Sequence, residues 1–583
     1  MSSKRRRGTA CLAGLAAILS STGSLAAAAE APYDVVIKGG QIYDGTGGPS
    51  YAGDVGIRGD RIAYVGKSRP MTARRIVEAR GQAVAPGFIN MLSQAQESLF
   101  VDGRLESDLF QGVTLEVMGE GDSMGPLTDA MATRNAAQQS DIKYPIDWRT
   151  LGQYLEGRER AGVSLNIASF VGATTVRDFV LGEGDVQPSE QQLTRMHGLV
   201  RQAMEEGALG VSSALIYTPA IFAKTDELAA LATESGRCGG IYITHMRSEG
   251  DRFLEAVDET LSIARLSGAP AEIYHLKVGG KSNWPKLDAA IEKIEAARAS
   301  GVRITANMYV YTAGGTGLDA AMPPWVREGG LDAWIQRMKD PAVRARLARE
   351  MADPNAGYEN LFLKAGPEGM ILAVFKNDKL KSLTGKSLAE VAQLRHTTPQ
   401  EAAMDLVIED GSRLGVIYFV MSEANVRKEA ALPWMSFGSD EAAPAPEGVF
   451  LKSHSHPRAY GNFAKVLAEY VRSKHSMPLG DAIHRMTGLP AANLSLSKRG
   501  LLKQGYFADV VVFDPQAIQD HATYESPHQL ATGVSNVLVN GQFAMSEGRA
   551  TGAHSGRFVR GRAWTGGKGG GCRSTASRWS WSW

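Results

Sequence analysis

Two histidines at the ends of short apolar runs constrain the fold of this chain most strongly. His245 ends the run 240–245, and His275 ends the run 271–275. Runs of this length and composition are typical of strands buried on both faces in a parallel sheet. Between them, residues 255–267 carry apolar side chains at helical spacing. The segment therefore predicts a strand–helix–strand unit.

The position of the two histidines indicates a site as well as a fold. In a (β/α)8 barrel the active site is built from the C-terminal ends of the parallel strands, so His245 and His275 would face one cavity. Neutral imidazole suits zinc and other first-row metals. A lone histidine at a strand end is more often a core or rim residue, but an equivalent pair on neighbouring strands favours a metal site.

Composition narrows the classes of protein to consider. The chain has 583 residues, enough for more than one structural unit. Its 63 Lys and Arg against 62 Asp and Glu give a net charge of +1, which indicates no nucleic acid and no strongly charged partner. Three cysteines, Cys11, Cys238 and Cys572, support neither a disulfide framework nor a cysteine-rich metal site.

Residues 1–29 have the composition of a signal peptide. Basic residues 4–7 precede the apolar stretch 11–25, and the small residues 26–29 offer cleavage sites. The apolar stretch is too short to cross a bilayer as a helix. The sequence therefore predicts export to a bacterial periplasm or to the medium, with no membrane span in the mature chain. An uncleaved, disordered N-terminal tail is the alternative.

The rest of the chain divides by its patterns of apolar residues. Short β-rich runs with turns stand near both ends, and strand-like runs alternate with helical stretches between them. The fold class predicted is α/β, a (β/α)8 barrel with a small β-sandwich that the two ends build together. The predicted segments are 30–84 and 496–550 for the sandwich, 85–495 for the barrel, 323–432 for a mainly helical insertion within it, and 551–583 for a poorly ordered tail.

Local motifs follow one another along the chain in a definite order. Ala85-Pro-Gly-Phe-Ile-Asn comes first, and Gly505-Tyr-Phe-Ala-Asp-Val-Val-Val-Phe-Asp comes last. Between them stand Gly119-Glu-Gly-Asp-Ser-Met-Gly-Pro, Thr244-His-Met-Arg-Ser-Glu and Phe437-Gly-Ser-Asp. In these motifs the chain resembles the amidohydrolase superfamily and, within it, the N-acyl-D-amino-acid deacylases (D-aminoacylases). The resemblance implies a barrel enzyme that hydrolyses linear amides with the help of a metal ion.

The sequence departs from the superfamily pattern at three positions. A His-x-His pair that binds the more exposed of two metals commonly follows the first barrel strand, but Leu92 and Gln94 stand there. Leucine has no ligand atom, and a glutamine carbonyl is a weak ligand. The exposed metal is therefore expected to be absent or loosely bound. Asn307 stands where the family pattern has an aspartate. The sequence alone does not explain what this change does.

The resemblance implies that the buried metal is retained with a changed ligand. In D-aminoacylases its ligands are a cysteine after the second barrel strand and two later histidines. Glu120 stands in the place of the cysteine, and two histidines with one glutamate form a known catalytic zinc set. We expect one divalent metal ion on Glu120, His245 and His275, zinc first, with manganese, iron or cobalt possible. Asp122 is the alternative carboxylate ligand.

Asp440 matches the superfamily aspartate that follows the last barrel strand. A metal lowers the pKa of a bound water toward ~7, and a carboxylate nearby can take its proton and deliver it to the leaving amine. The resemblance therefore gives Asp440 the role of general base and then acid. The alternative is an aspartate that caps the following turn.

A free carboxylate on the substrate would need cationic or hydrogen-bonding partners. The resemblance points to Lys277, Tyr309 and Arg458 for this role. Arg247 is a further cation near a matched strand end, and Tyr217 is a candidate for the wall of the acyl pocket. Each of these five residues has the alternative of being packed at the rim.

Together these features predict a metal-dependent hydrolase that deacylates N-acyl-D-amino acids, with a small carboxylate-bearing molecule as its partner. Two alternatives remain open from the sequence. In the first alternative, the protein is a hydrolase that cleaves a cyclic amide, a dipeptide or a lactone. These hydrolases share the chemistry at the metal, and their specificity lies in loops. Otherwise the chain is a degenerate barrel that binds a ligand without turning it over.

Overall fold

The computed structural model describes residues 32–566 and 570–572. The predicted signal peptide lies outside these residues. Within the described part of the chain, no helix is both long and apolar enough to cross a membrane.

The two ends of the chain build one β unit, as the fold class predicts. Its nine strands form a single sheet, and strand Ala83–Pro86 pairs with strand Val510–Phe513 at the junction of the two halves. Apolar side chains of both halves share one core cluster. The strands are β1 (Tyr33–Ile42), β2 (Tyr51–Arg58), β3 (Arg61–Gly66), β4 (Ala73–Glu78), β5 (Ala83–Pro86), β18 (Val510–Phe513), β19 (Val534–Val539), β20 (Gln542–Ser546) and β21 (Arg549–Ala550).

Parallel strands form the barrel between these two halves. A six-stranded and a three-stranded parallel sheet contribute nine segments, and Phe170 alone separates two of them, so eight barrel positions result. The strands are β6 (Phe88–Asn90), β7 (Val113–Met118), β8 (Asn166–Ser169), β9 (Val171–Gly172), β10 (Gly210–Ala214), β11 (Ile241–His245), β12 (Ala271–Ile273), β13 (Ile304–Met308) and β17 (Met435–Phe437).

Backbone hydrogen bonds join the two parallel sheets at both ends. The Met91 N–H donates to Phe437 O at 3.2 Å, next to β6 and β17. On the other side, the Leu209 N–H donates to Ser169 O at 3.0 Å and so joins β8 to the segment that leads into β10. The predicted (β/α)8 barrel is confirmed.

Helices surround the barrel because its strands are apolar on both faces. Tyr242 of β11 belongs to the large core cluster shared with the helices, whereas Ile241 and Ile243 belong to a separate cluster inside the barrel with Leu115 and Val117. The α-helices before residue 323 and after residue 422 are α1 (Glu106–Leu109), α2 (Asp129–Gln138), α3 (Leu151–Ala161), α4 (Ala173–Leu181), α5 (Glu190–Glu206), α6 (Thr225–Arg237), α7 (Phe253–Ser267), α8 (Lys286–Ala299), α15 (Glu423–Ala430), α16 (Arg458–Lys465), α17 (Leu479–Met486) and α18 (Gly488–Asn493). A π-helix, Val466–Ser473, continues α16.

The segment predicted to be a mainly helical insertion, 323–432, contains helices and also two strands of a small sheet, whose remaining strand β14 (Gly314–Gly317) comes before it. This sheet has three antiparallel strands, and the last of them in the chain lies between the other two. The strands are too short for an alternation of apolar and polar residues to stand out in the sequence. Its strands are β14 (Gly314–Gly317), β15 (Met370–Val374) and β16 (Gly415–Tyr418), and the helices are α9 (Pro324–Arg327), α10 (Gly330–Arg337), α11 (Pro341–Met351), α12 (Leu361–Ala365), α13 (Leu388–Leu394) and α14 (Pro399–Asp410).

Residues 551–566 lie along the barrel, so the prediction that 551–583 is poorly ordered does not hold for this part of the segment. The Gly556 N–H donates to Val163 O at 2.8 Å, and Phe558 is buried. A Cβ on Gly556 would lie 1.9 Å from Leu165 O, so only glycine permits this approach. Glycine at this position serves close packing.

Two of the three cysteines form a disulfide bond, which the sequence analysis did not predict. Cys238 follows helix α6 and is buried, and Cys572 lies in the tail. The bond joins residues 334 positions apart in the chain. A count of three cysteines could not reveal this pair, because the contact depends on how the tail folds back.

Candidate active site at the C-terminal ends of the barrel strands

Three potential metal ligands meet at one end of the barrel. Glu120 follows β7, His245 is the last residue of β11, and His275 follows β12. Glu120 Oε1 lies 2.8 Å from His275 Nε2 and 3.2 Å from His245 Nδ1. The three ligand atoms lie within 4.8 Å of one another. Among the described residues, Asp122 does not belong to this group, so Glu120 is the carboxylate that the structure brings to the histidines.

A tight turn directs Glu120 toward the barrel axis. Gly119 has φ +93°, and a Cβ there would lie 2.5 Å from Phe170 O. The Ser212 hydroxyl of β10 donates to Gly119 O and accepts from the Gly121 N–H at 3.1 Å. The two glycines and this buried hydroxyl therefore fix the backbone on both sides of Glu120.

The two histidines reach the site by different local geometry. His245 follows the alternation of β11 and shares a strand face with Ile241 and Ile243, which point into the barrel. His275 has φ +33°, so the backbone leaves the strand and the alternation ends. Its N–H donates to Asn307 Oδ1 at 2.9 Å.

Asn307 holds the ends of two neighbouring strands together. It accepts from the His275 N–H, and its Nδ2 donates to Glu272 Oε1 at 2.9 Å. All three residues are buried. An aspartate could accept from His275, but it could not donate to Glu272. An asparagine at position 307 therefore suits the buried Glu272 beside it in a way that an aspartate would not.

Glu249 is a site residue that the sequence analysis missed. Its Oε1 lies 3.0 Å from His275 Nδ1 and 2.7 Å from Lys277 Nζ. Burial raises the pKa of Glu249, but Lys277 and the two histidines outweigh it and hold the pKa well below its usual range. Carboxylates that bind the second nitrogen of a metal-ligating histidine orient the ring. Glu249 has this relation to His275. In the sequence it could have been noticed as the last residue of the motif Thr244-His-Met-Arg-Ser-Glu, four positions after His245.

Asp440 lies beside the ligand group and is held from two sides. Its Oδ2 forms an ion pair with Arg458 Nη1 at 2.9 Å, and its Oδ1 lies 3.4 Å from Gln94 Nε2. Gln94 Nε2 also donates to Glu120 Oε2 at 2.7 Å. One amide group therefore links the candidate base to the candidate ligand.

The charges of the site favour a bound cation among the ligands. Burial and Lys277 lower the pKa of His275, but Glu249 and Glu120 outweigh them and raise it to about 9. Burial raises the pKa of Glu120, and His275 and His245 hold it well below its usual range. The carboxylates thus stabilise positive charge on the imidazoles. A divalent ion would supply that charge, and two imidazoles with one carboxylate are a suitable donor set.

A cavity of about 350 Å³ opens over these residues. Lys277, Tyr309, Arg458 and Tyr217, all predicted to bind substrate, line it together with Asp440. The Tyr309 hydroxyl is buried and has no hydrogen-bond partner in the described part of the chain. Arg458 is 4.3 Å from the centre of the Tyr309 ring. The cavity therefore offers two cations and a free hydroxyl next to the candidate base.

Arg247, which the sequence predicted to bind substrate, lies away from the cavity. Its Nε donates to Glu259 Oε2 at 2.9 Å, and its Nη atoms donate to Ile221 O and Ala223 O, both at 2.8 Å. It does not line the cavity. These contacts tie β11 to helix α7 and to the loop after β10, so the arginine has a structural role.

Two imidazoles, a carboxylate and an aspartate at the C-terminal strand ends of a barrel are typical of metal-dependent hydrolases. Comparison with known proteins points to the same class of protein. Residues 75–545 match a model of the amidohydrolase family. A D-aminoacylase of Alcaligenes xylosoxydans xylosoxydans is 32% identical over 529 residues, which is 91% of this chain and 98% of that protein.

Solved structures of similar proteins cover the same length. A D-aminoacylase studied for the role of its binuclear metal centre, with one-metal activation and second-metal attenuation, has a TM-score of 0.76 at 31% identity. An N-acyl-D-glutamate deacylase from Bordetella bronchiseptica, complexed with zinc and a phosphonate mimic of the tetrahedral intermediate, has a TM-score of 0.74 at 28% identity. Each comparison covers 91% of this chain and all of the other. The chain belongs to the amidohydrolase family.

Proposed function

We propose that this protein hydrolyses the amide bond of N-acyl-D-amino acids and releases a D-amino acid and a carboxylate. The grouping of Glu120, His245 and His275 with Asp440 around one cavity carries the proposal. The relatives named D-aminoacylase and N-acyl-D-glutamate deacylase support the substrate class. The preference for the D-enantiomer rests on these relatives.

The proposed cofactor is one divalent metal ion held by Glu120, His245 and His275. When bound, such an ion polarises the amide carbonyl and lowers the pKa of a water at its open position. Zinc is the first expectation, since two histidines and a glutamate form a known catalytic zinc set. Manganese, iron and cobalt also accept a carboxylate in place of a thiolate.

The contacts of Gln94 support the proposal that only one metal ion binds. Its amide nitrogen lies 2.7 Å from Glu120 Oε2 and 3.4 Å from Asp440 Oδ1, so a neutral donor reaches both carboxylates. Leu92 offers no ligand atom. A second cation near Glu120 and Asp440 would have to displace the Gln94 amide and would find no imidazole at positions 92 and 94.

Asp440 is placed to move the proton of the reaction. It accepts the proton of the attacking water as the water oxygen bonds to the amide carbon. It then delivers that proton to the nitrogen as the C–N bond breaks. Arg458 contacts one carboxylate oxygen of Asp440, and Gln94 contacts the other. These two contacts keep the proton acceptor fixed relative to the substrate.

The substrate carboxylate is proposed to bind Tyr309, Lys277 and Arg458. The Tyr309 hydroxyl is the clearest donor, because it is buried and has no hydrogen-bond partner within residues 32–566 and 570–572. Arg458 is already paired with one carboxylate but has further N–H groups to donate. Lys277 Nζ lies within hydrogen-bond distance of Glu249 Oε1, His275 Nδ1 and His275 O, so it would exchange one of these contacts for the substrate carboxylate. A ligand carboxylate would therefore complete the hydrogen bonding of this wall.

We also propose that the protein is exported. The composition of residues 1–29 supports this, as does the disulfide between Cys238 and Cys572. Disulfides persist in the periplasm and outside the cell and are rare in the cytosol.

Variants of two residues test the proposed function with N-acetyl-D- and N-acetyl-L-amino acids as substrates. Asp440→Asn should keep the metal and lose at least about 100-fold in kcat, because it removes general acid–base catalysis. Glu120→Gln should lose the metal, whereas Glu120→Cys, which offers a thiolate, should keep zinc. Undiminished turnover by Asp440→Asn, or equal rates on both enantiomers, would refute the proposal. Metal binding without any turnover would favour the ligand-binding barrel.

A further inference from the structure

A second and larger cavity adjoins the cavity of the metal site. Its volume is about 880 Å³, against about 350 Å³ for the smaller one. Small-molecule sites commonly have volumes of about 300–1,000 Å³. The two cavities share wall residues, among them Gln94, Asp122, Tyr217, Thr316 and Arg413. A ligand bound at the metal site can therefore extend into the larger cavity.

Tyr217 stands at the junction of the two cavities. Its ring lies 5.5 Å from the ring of His245, and its hydroxyl is 2.6 Å from the Thr316 hydroxyl of the insertion. Arg413 lies 4.8 Å from the centre of the same ring on the insertion side. A group that leaves the metal site past Tyr217 enters the space between the barrel and the insertion.

The wall of the larger cavity is partly apolar and partly polar, with side chains such as Gln138, Ser140 and Thr175 among its polar members, and it favours a neutral occupant. Apolar side chains from the loop after β7 and from helix α10 line it. Its three arginines all have carboxylate partners: Arg134 pairs with Asp178 and Glu183, and Arg327 and Arg413 pair with Asp319. Six carboxylates line this cavity against the three arginines, so its charge disfavours an anion. The apolar lining includes Met124, Leu127, Ile142, Ile146, Leu331 and Trp334.

The direction of the substrate follows from which residues line each cavity. Lys277, Tyr309 and Arg458 line the smaller cavity and not the larger one. If the amino-acid carboxylate binds them and the scissile carbonyl lies at the ligand group, the acyl chain points away from these cations. We infer that the larger cavity binds the acyl group, and that the preferred substrates carry a long, neutral acyl chain. This inference rests on the proposed function.

The test compares N-acetyl-, N-octanoyl- and N-decanoyl-D-leucine as substrates of the metal-loaded protein. Each methylene buried in the cavity should raise kcat/KM about three- to fourfold. The decanoyl substrate should therefore exceed the acetyl substrate by at least about 100-fold. Leu331→Trp, which fills part of the cavity, should remove most of this gain, so that the ratio of decanoyl to acetyl kcat/KM falls at least about tenfold. Leu394→Trp, at an exposed leucine of helix α13 outside the cavity, is the matched control and should behave as wild type.

A second series separates the acyl group from the amino-acid side chain. For N-acetyl substrates, the change in kcat/KM with increasing length of the D-side chain should be the same in Leu331→Trp as in the wild-type protein. If they respond and the acyl series does not, the cavity binds the side chain and the inference is wrong. Equal kcat/KM for acetyl and decanoyl substrates would also overturn it.

Product binding keeps the inference testable apart from turnover. Calorimetry should show that decanoate binds the metal-loaded protein more tightly than acetate and that Leu331→Trp removes the difference. If this holds while no N-acyl-D-amino acid is hydrolysed, the cavity assignment stands and the proposed function fails. Equal binding of decanoate and acetate would overturn the cavity assignment by itself.

Discussion

Replacing Asn307 by aspartate tests whether the amide at this position holds the strand ends. In the wild-type protein Asn307 Nδ2 donates to Glu272 Oε1 at 2.9 Å, and both residues are fully buried. Asn307→Asp would place two carboxylates at this distance. At an effective dielectric constant of about 20, two charges about 3 Å apart repel by roughly 6 kcal/mol. One carboxyl would therefore bind a proton, as happens in buried carboxylate pairs.

The cost of that proton sets the expected loss of stability and its pH dependence. Burial already raises the pKa of Glu272, while hydrogen bonds from Asn307 and its other partners lower it. A carboxyl kept protonated only in the folded state costs about 1.4 kcal/mol per pH unit above its unfolded pKa of about 4.3. Asn307→Asp should lose about 2 kcal/mol at pH 6 and about 5 kcal/mol at pH 8, and little at pH 4.5.

Urea unfolding at these three pH values measures the difference in stability. The double variant Glu272→Gln, Asn307→Asp restores one donor and one acceptor to the pair and should recover most of the loss at pH 8. The reasoning would be refuted if Asn307→Asp changed stability by less than about 1 kcal/mol at pH 8, or by the same amount at every pH. It would also be refuted if the double variant were less stable than the single one.

Three further perturbations address the site and the tail. Glu249→Gln should weaken metal affinity about 10- to 100-fold, measured by competition with a chelating dye, because it changes the carboxylate that orients His275; unchanged affinity would deny it that role. Leu92→His with Gln94→His should bind a second equivalent of metal, counted by plasma mass spectrometry, whereas Gln94→Ala alone should not. Cys572→Ser should lower the free energy of unfolding by about 2–5 kcal/mol and leave kcat/KM for N-acetyl-D-leucine unchanged; a loss of activity at unchanged stability would contradict the structural role of the bond.

The sequence predicted those parts of the site that depend on local patterns. Strand periodicity placed His245 and His275 at neighbouring strand ends, and parallel pairing brings such ends together. Family resemblance added Glu120, and the structure shows its oxygen against both histidines. Arg247 shows the limit of this reasoning. It stands only two residues after His245, but the chain has left the strand there, and its side chain turns to Glu259 of helix α7.

Other features depend on contacts between segments that are far apart in the chain. Glu249 reaches His275 and Lys277 from the loop after β11, and no periodicity marks a loop carboxylate. Cys572 finds Cys238 only because the tail folds back along the barrel. Gly556 permits that path by close backbone approach, although a glycine-rich composition by itself favours disorder.

Titration of the metal-free protein with zinc is the most direct test of the central claim. Hydrolysis of an N-acyl-D-amino acid should rise linearly with added zinc and level off at one equivalent, and the L-enantiomer should remain a poor substrate. Glu120→Gln should show no rise over the same range. A plateau only at two equivalents, or full activity without any metal, would contradict a single ion held by Glu120, His245 and His275.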